Sequence, residues 1–221
     1  MPWYGRRTSW RWMVDAPITL IIPSKGEPPE IVRAVQTSTQ DQDIIQTVYI
    51  IHNLPYGQAI KQGIEQATTP YIATMDADGQ HHPDDLRMVA LYALHHHYDL
   101  VIGHDASWHG MRTVISRGLN LVASLLTRAW VADFGSGLRV FKQELVLPWL
   151  PLLPDGFDFN AALTLSFLLT HRKVDTYPIT VHRRVAGRSH VRLTDGLRTL
   201  RTLATWQRRL RHALPDAHHN Q

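Results

Sequence analysis

An alternation of short apolar runs with helical segments is the feature that most constrains the fold of this chain. The apolar runs are rich in β-branched residues and end at Pro, Gly or Asp, as is typical of buried strands. We predict strands over residues 17–23, 44–52, 71–75 and 99–103, and helices over residues 28–35, 56–67 and 83–94. This order predicts an α/β fold with a mostly parallel sheet flanked by helices. In such sheets, ligands bind beyond the carboxyl ends of the strands.

The rhythm changes in the second half of the chain. We predict a long helix over residues 111–130, a strand over 138–141, a helix over 157–170, a strand over 174–181 and a basic amphipathic helix over 194–214. The 221 residues contain no internal repeat and no low-complexity linker, which indicates one domain. We therefore expect a basic, aromatic arm (1–16), one α/β domain (17–192) and a basic helix with its tail (193–221).

Composition excludes several classes of protein. The absence of Cys excludes a disulfide scaffold, a thiolate metal site and a Cys nucleophile. The longest apolar run, residues 145–154, is far shorter than the roughly 18 residues that span a bilayer, and residues 1–15 lack the apolar stretch of a signal peptide. We therefore expect a cytoplasmic protein. The net charge of +4 is modest, and nucleic acid is not an expected partner, although the arginine-rich tail leaves it as a rival hypothesis.

Two carboxylates, Asp76 and Asp78, directly follow the strand predicted over residues 71–75. If the chain turns there, both can face one hard cation. Mg²⁺ and Mn²⁺ bind well through one or two carboxylates together with diphosphate oxygens. The pair therefore suits a nucleotide-dependent transferase. A purely structural role is the alternative, because Asp is also a common turn residue.

Several blocks around this pair stand in a recognisable order. They are ITLIIPSKGE (18–27), GQAIKQGIEQATTPYIATMDADGQHHPDD (57–85), RTVISRGLN (112–120), DFGSGLRVF (133–141) and RVAGRSH (184–190). Together they resemble the family 2 glycosyltransferases of the GT-A fold, and most of all the dolichyl-phosphate or polyprenyl-phosphate mannose and glucose synthases. The resemblance covers roughly residues 17–192, and ordered blocks are more specific than any single motif.

The resemblance implies a metal-dependent, inverting hexosyltransferase. It would move mannose or glucose from GDP-mannose or UDP-glucose to a polyprenyl or dolichyl phosphate lipid, with Mg²⁺ or Mn²⁺ as cofactor. The acceptor oxygen of a lipid phosphate is already anionic at neutral pH, so no strong general base is needed. The lipid acceptor further implies a peripheral position at the cytoplasmic face of the membrane, with a membrane-anchoring partner as a further expectation.

The resemblance also assigns roles to individual residues. On the donor side, the metal and the diphosphate would be held by Asp76, Asp78 and Gln80, the nucleotide would be lined by Pro23, Ser24 and Glu27, and the donor phosphates would be covered by Arg184 and His190. On the acceptor side, the lipid phosphate would be bound by Arg112, Ser116 and Arg139. The expected catalytic residues are Asp78, Arg112, Ser116 and Arg184.

Two of these features have structural alternatives. Arg139 could instead pair with Asp133 as an internal support. The tail helix places Leu197, Leu200, Leu203, Leu210 and Leu214 near one stripe, flanked by arginines. This helix could lie on an anionic membrane surface, or it could dock on the domain with its arginines in water.

The chain also departs from the family pattern. The V-D-D-G-S-x-D strand end is absent, so about one βα unit is missing between Glu27 and Gly57. Asn160 and its neighbours stand where the family has an acidic residue, and His190 replaces a Lys. These changes raise a second hypothesis, a catalytically impaired, membrane-associated binding subunit.

Overall fold

The predicted apolar runs form the strands of one six-stranded sheet. The computed structural model describes residues 17–40, 43–106, 124, 133–182 and 193–213. The strands are β1 (Ile18–Ser24), β2 (Ile45–His52), β3 (Tyr71–Thr74), β4 (Leu100–Asp105), β5 (Arg139–Lys142) and β6 (Val174–Ile179). Their order across the sheet is β2-β1-β3-β5-β4-β6. Since β1 runs parallel to β2 and β3, and β4 runs parallel to β6, the predicted α/β fold with a mostly parallel sheet is confirmed.

Strand β5 is the exception, because it runs antiparallel to both β3 and β4. Three of its four residues, Arg139, Val140 and Phe141, are fully buried. Whether so short a strand pairs parallel or antiparallel depends on its neighbours in the sheet, and its own four residues carry no signal of direction. The sequence therefore located this strand to within a residue and left its direction open.

The helices also match the predicted segments, with shifted ends. They are α1 (Pro29–Gln40), α2 (Tyr56–Gln66), α3 (Pro83–His95), a short α4 (Gln143–Val146), α5 (Phe159–Leu169) and α6 (Leu193–Ala213). Helix α1 is longer than predicted because Thr39 extends its buried face and donates a hydrogen bond to the carbonyl of Val35 (2.8 Å). Between β1 and β3 the described residues contain a single strand, β2, as expected from the shortened sequence there.

The sheet separates two apolar layers. Side chains of β1 alternate between them, because successive residues of a strand point to opposite faces. Leu20 belongs to the layer that includes residues of α1 and α3, whereas Ile21 belongs to the layer that includes residues of α2, α5 and α6. The carboxyl ends of β1 and β3 lie at one edge of the sheet, and the predicted site residues Glu27 and Asp76 come shortly after them in the chain.

Helix α6 docks on the domain. Leu203, Trp206 and Leu210 are buried, and the indole Nε1 of Trp206 donates to Ser166 Oγ on α5 (2.9 Å). Leu200, which the sequence placed on the apolar stripe, is instead 42% exposed. Of the two alternatives for this helix, docking on the domain is therefore the one that its apolar face follows. The basic face is exposed, with Arg198, Arg201, Arg208, Arg209 and Arg211.

The longest apolar run of the sequence belongs to the core. Residues 145–154 include the end of α4 and a 3₁₀ turn over Leu150–Leu152, and Trp149 and Leu153 are buried. Among the described residues, no helix is long and apolar enough to cross a membrane. The arm (1–16) and, apart from residue 124, the helix predicted over 111–130 lie outside the described residues, so the division into arm, domain and tail stays a prediction.

Candidate active site

The turn after β3 carries the two predicted metal ligands. Asp76 is half-buried, and Asp78 is buried, with only 3% of its surface exposed. Asp78 Oδ1 accepts a hydrogen bond from the backbone N–H of Gln80 (3.0 Å), and Gly79 adopts a φ of 75°, which glycine tolerates at little cost. The turn therefore fixes the position of Asp78 through its own backbone.

A second loop approaches this turn at Gly137. A Cβ added to Gly137 would lie 2.5 Å from Cγ and Oδ2 of Asp76, and it would also overlap Oδ1. The absence of a side chain at Gly137 is therefore what lets the Asp76 carboxylate occupy its position. Thr74 at the end of β3 reinforces the contact, since its Oγ1 donates to the carbonyl of Gly137 (2.8 Å).

Arg139 holds the second loop from behind. Its guanidinium is fully buried and donates to the carbonyls of Ser136 (2.8 Å) and Phe134 (2.7 Å) and to Thr164 Oγ1 on α5 (2.6 Å). Burial lowers its pKa to about 10, although the nearby negative charges of Asp133 and Asp76 partly oppose this. This arrangement favours the structural alternative over a contact with the acceptor phosphate.

The carboxylate of Asp133 supports the same loop locally. It accepts the backbone N–H of Gly135 (2.8 Å) and interacts with Arg139 through charge. Burial raises the pKa of Asp133, while the Gly135 N–H and the charge of Arg139 act in the opposite direction. Arg139 is thus an internal support, as the structural alternative predicted, but it acts by donating hydrogen bonds to backbone carbonyls of the loop.

The turn after β1 is also built by local hydrogen bonds. Glu27 Oε2 accepts from Ser24 Oγ (3.0 Å) and from the backbone N–H of Lys25, and Gly26 has a φ of 83°. Ser24 is buried and Pro23 is half-buried. Because β1 and β3 are parallel neighbours, this turn and the Asp76 turn lie at the same edge of the sheet. Contact of Pro23, Ser24 and Glu27 with a nucleotide stays a prediction.

The chain after β6 returns to the same turn. The backbone N–H of His182 donates to the carbonyl of Gln80 (2.8 Å), and Gln80 Nε2 donates to the carbonyl of His182 (3.1 Å). His182 is the last described residue before the segment that carries Arg184 and His190. Those two residues lie outside the described residues, as do Arg112 and Ser116, so their predicted roles stay predictions.

Tyr56 and Asn160 lie beside this site, although neither was predicted to be a site residue. Asn160 Nδ2 donates to Tyr56 Oη (3.0 Å) and to the Ser136 carbonyl (3.2 Å), and the Tyr56 ring stacks on Phe157 with centroids 5.1 Å apart. Burial raises the pKa of Tyr56, and the charge of Asp76 raises it further. The one sequence signal for Asn160 was its replacement of an expected acidic residue.

The oxygen donors of the turn fit a hard divalent cation. Asp76 and Asp78 offer carboxylates and Gln80 an amide oxygen, and Mg²⁺ and Mn²⁺ complete their coordination with substrate oxygens and water. Among the described residues, no group of three or more His, Cys, Asp or Glu could hold a metal by itself. Two carboxylates and one amide oxygen leave coordination positions that a diphosphate and water can fill.

Comparison with known proteins agrees with this geometry. The family model for glycosyl transferase family 2 matches residues 19–164, more than half of the chain. An uncharacterized protein of Methanocaldococcus jannaschii is 36% identical over 104 residues, which cover 42% of this chain and 43% of that protein. An undecaprenyl-phosphate 4-deoxy-4-formamido-L-arabinose transferase of Pseudomonas fluorescens is 29% identical over 142 residues, which cover 59% of this chain and 41% of that protein. The matches span less than half the length of these relatives.

The fold is shared with a solved enzyme. Glucosyl-3-phosphoglycerate synthase from Mycobacterium tuberculosis, crystallised with Mn²⁺, UDP-glucose and phosphoglyceric acid, has a TM-score of 0.69 at 13% identity. The superposition covers 94% of this chain and 85% of the synthase. This likeness shows the fold, and it confirms the predicted GT-A-like architecture. The match of the family model to residues 19–164 establishes that this chain belongs to glycosyl transferase family 2.

Proposed function

We propose that this chain is a metal-dependent, inverting hexosyltransferase that moves mannose or glucose from GDP-mannose or UDP-glucose to a polyprenyl phosphate. The observation that carries the proposal is the Asp76–Gln80 turn, which presents two carboxylates at the carboxyl end of β3 with Gly137 packed against one of them. This is the edge of the sheet where α/β folds bind ligands.

The chemistry that we propose requires positioning more than acid–base catalysis. An anionic oxygen of the acceptor phosphate attacks the anomeric carbon while the bond from that carbon to the donor diphosphate breaks, and the bonding electrons leave with the diphosphate. In-line attack inverts the sugar, and no proton has to be removed from the acceptor. A divalent metal held by Asp76, Asp78 and Gln80 would supply charge neutralisation for the leaving diphosphate.

The remaining roles are assigned by sequence and supported by chain geometry. Arg184 follows His182 by two residues in the sequence, and His182 is hydrogen-bonded to Gln80 of the metal turn. Arg184 can therefore reach a diphosphate held at the turn, and we propose that it does so together with His190. For the acceptor phosphate we propose Arg112 and Ser116, which are four residues apart and would share one face of a helix.

The proposal of a lipid acceptor is supported by what the relatives of this chain act on. The Pseudomonas fluorescens relative is an undecaprenyl-phosphate sugar transferase, and the M. tuberculosis neighbour was crystallised with Mn²⁺ and UDP-glucose. We propose residues 17–192 as the catalytic domain, with the arm (1–16) and the basic tail (193–221) flanking it. The exposed arginines of α6 support a peripheral position at the cytoplasmic face of the membrane, where a membrane-anchoring partner could add to the contact.

The test compares two acidic residues close to each other in sequence. Asp78→Ala is expected to abolish Mn²⁺-dependent binding of UDP-glucose and GDP-mannose, measured by calorimetry, and to abolish sugar transfer to undecaprenyl phosphate. Asp84→Ala is the matched control, since it removes the same charge from a side chain that is 77% exposed at the start of α3. Equal behaviour of the two variants would contradict the proposal. Failure of the wild-type chain to bind any sugar nucleotide at millimolar concentration would favour the binding-subunit hypothesis instead.

A further inference from the structure

One buried oxygen beside the candidate site has no hydrogen-bond partner among the described residues. It is Oδ1 of Asn160, in the first turn of α5, on a side chain that is only 4% exposed. Leaving a buried polar atom unsatisfied costs roughly 1–3 kcal/mol, and most such atoms in proteins are paired. An exception beside a proposed substrate site therefore needs an explanation.

The orientation of the Asn160 amide is fixed by its surroundings. Its Nδ2 lies 3.2 Å from the carbonyl oxygen of Ser136, which can only accept a hydrogen bond. Exchanging the nitrogen and the oxygen would place two acceptors against each other. The same Nδ2 donates to Tyr56 Oη (3.0 Å), so both protein partners of the amide bind its nitrogen. The oxygen is left to accept from a group outside these contacts.

The backbone of Asn160 is held as firmly as its side chain. Thr164 Oγ1 donates to the carbonyl of Asn160 (2.9 Å) and accepts from the guanidinium of Arg139 (2.6 Å), which also binds the Ser136 carbonyl. Arg139 thereby fixes the loop and the first turn of α5 relative to each other. A rigid acceptor of this kind is suited to selecting one substrate group, because little freedom is lost on binding.

The position of this amide relates it to the proposed donor site. Ser136 precedes Gly137, which packs against the Asp76 carboxylate, and the charges of Asp76 and Asp78 act on Tyr56 Oη. The loop that carries Ser136 and Gly137 therefore links Asn160 to the Asp76 carboxylate of the metal turn.

The chemistry of the oxygen restricts what it can bind. Diphosphate and phosphate oxygens are anionic acceptors at neutral pH, so they have no hydrogen to donate to Asn160 Oδ1. A sugar hydroxyl is both a donor and an acceptor. It can donate to Asn160 Oδ1 and accept from the hydroxyl of Tyr56, whose raised pKa keeps it protonated.

We propose that Asn160 and Tyr56 form a subsite for one hydroxyl group of the transferred hexose. This inference rests on the proposed function and adds to it the residues that bind a hydroxyl group of the sugar. Asn160 stands where the family pattern has an acidic residue, so in this chain the side chain at that position is neutral.

The test separates recognition of the sugar from recognition of the nucleotide. Binding of UDP-glucose and GDP-mannose is measured with Mn²⁺ beside binding of UDP and GDP. Asn160→Ala is expected to weaken binding of the sugar nucleotide about tenfold and to leave binding of the nucleoside diphosphate within about twofold. Tyr56→Phe keeps the ring stacked on Phe157 and is expected to give a smaller loss of the same kind.

Fluorinated substrates identify the hydroxyl itself. Fluorine replaces a hydroxyl with little change of size but cannot donate a hydrogen bond. One deoxyfluoro analogue of the sugar nucleotide should bind the wild-type chain more weakly and should be insensitive to Asn160→Ala. Ser166→Ala is the control for nonspecific damage: it lies on another face of α5 and loses a buried hydrogen bond from Trp206.

The outcomes distinguish the two proposals. If Asn160→Ala weakens UDP or GDP as much as the sugar nucleotide, or weakens neither, the subsite is overturned while the transferase proposal stands. If the wild-type chain binds nucleoside diphosphates but no sugar nucleotide, the proposed function fails and the subsite fails with it. Should Asn160→Ala not fold, as judged by its thermal melt beside that of Ser166→Ala, Tyr56→Phe decides by the same criteria.

Discussion

A single methyl group at Gly137 should inactivate the candidate site and leave the fold intact. In Gly137→Ala the new Cβ would lie 2.5 Å from Cγ and Oδ2 of Asp76, whereas ordinary van der Waals contacts of a Cβ are 3.4–4 Å. The carboxylate must therefore move by about 1 Å. Displacements of that size at a catalytic centre cost on the order of 100-fold in rate, or about 2.7 kcal/mol of transition-state stabilisation.

The effect of this substitution on stability should be small. Gly137 does not have a positive φ, so alanine can adopt its backbone conformation without strain. The half-buried Asp76 carboxylate can swing toward solvent. Replacing Gly by Ala at a compatible position also stabilises a protein by roughly 0.4–1 kcal/mol through the unfolded state. Loss of function without loss of stability is therefore the expected signature.

The same loop contains the matched control. In Gly135→Ala the new Cβ would lie 3.4 Å from Asp133 Oδ1, which is an ordinary contact. The assay is the Mn²⁺-dependent rate of sugar release or transfer from UDP-glucose or GDP-mannose, with a thermal melt of each variant. We expect Gly137→Ala to lose about 100-fold in rate and Gly135→Ala to stay within about threefold. If both variants retain the wild-type rate, the position of Asp76 does not matter for activity and the reasoning is refuted.

Two further predictions concern surfaces away from the metal turn. Replacing Arg208 and Arg209 together by Gln should reduce the fraction of protein that sediments with phosphatidylglycerol vesicles, because α6 buries Leu203, Trp206 and Leu210 and exposes its arginines. Binding that persists at high salt, or equal binding to phosphatidylcholine, would contradict this. At Asp175, burial raises the pKa, but hydrogen bonds from the hydroxyls of Tyr98 and Tyr92 outweigh it and hold the pKa below its ordinary value. The stability that this carboxylate contributes is present above the ordinary Asp pKa of about 4 and is lost as the pH falls through the lowered value. Asp175→Asn should therefore be less stable than wild type in urea unfolding at pH 7 and similar to it near pH 3, and a difference independent of pH would show that another interaction is responsible.

Most of the elements of this fold could be predicted because their signals are local. The run around Leu20 is apolar and β-branched, and Pro83 stands at the first position of α3, where its missing N–H costs nothing. The Asp76 and Asp78 pair could be assigned to the end of a strand for the same reason. Parallel strands then bring such ends to one edge of the sheet, so the location of the candidate site followed from the order of elements.

The roles of individual side chains could not be read from the sequence in the same way. Arg139 stands in a block that resembles the family and was predicted to bind the acceptor phosphate, yet its guanidinium is buried and donates to loop carbonyls. A tail helix with arginines beside leucines would have the same sequence pattern on a membrane surface as on the domain. Only the packing of Trp206 shows that the domain covers its apolar face.

The sequence by itself determined the α/β class, the family pattern and the place of the metal turn, because hydrophobic periodicity, turn residues and short motifs act over a few neighbouring residues. Only the tertiary structure decided the direction of β5, the buried position of Arg139 and the meeting of Asn160 with Tyr56, which are 104 residues apart in the chain. Such contacts depend on how separate elements pack against one another, and no local pattern encodes the hydrogen-bond partner that a side chain finds across the sheet edge.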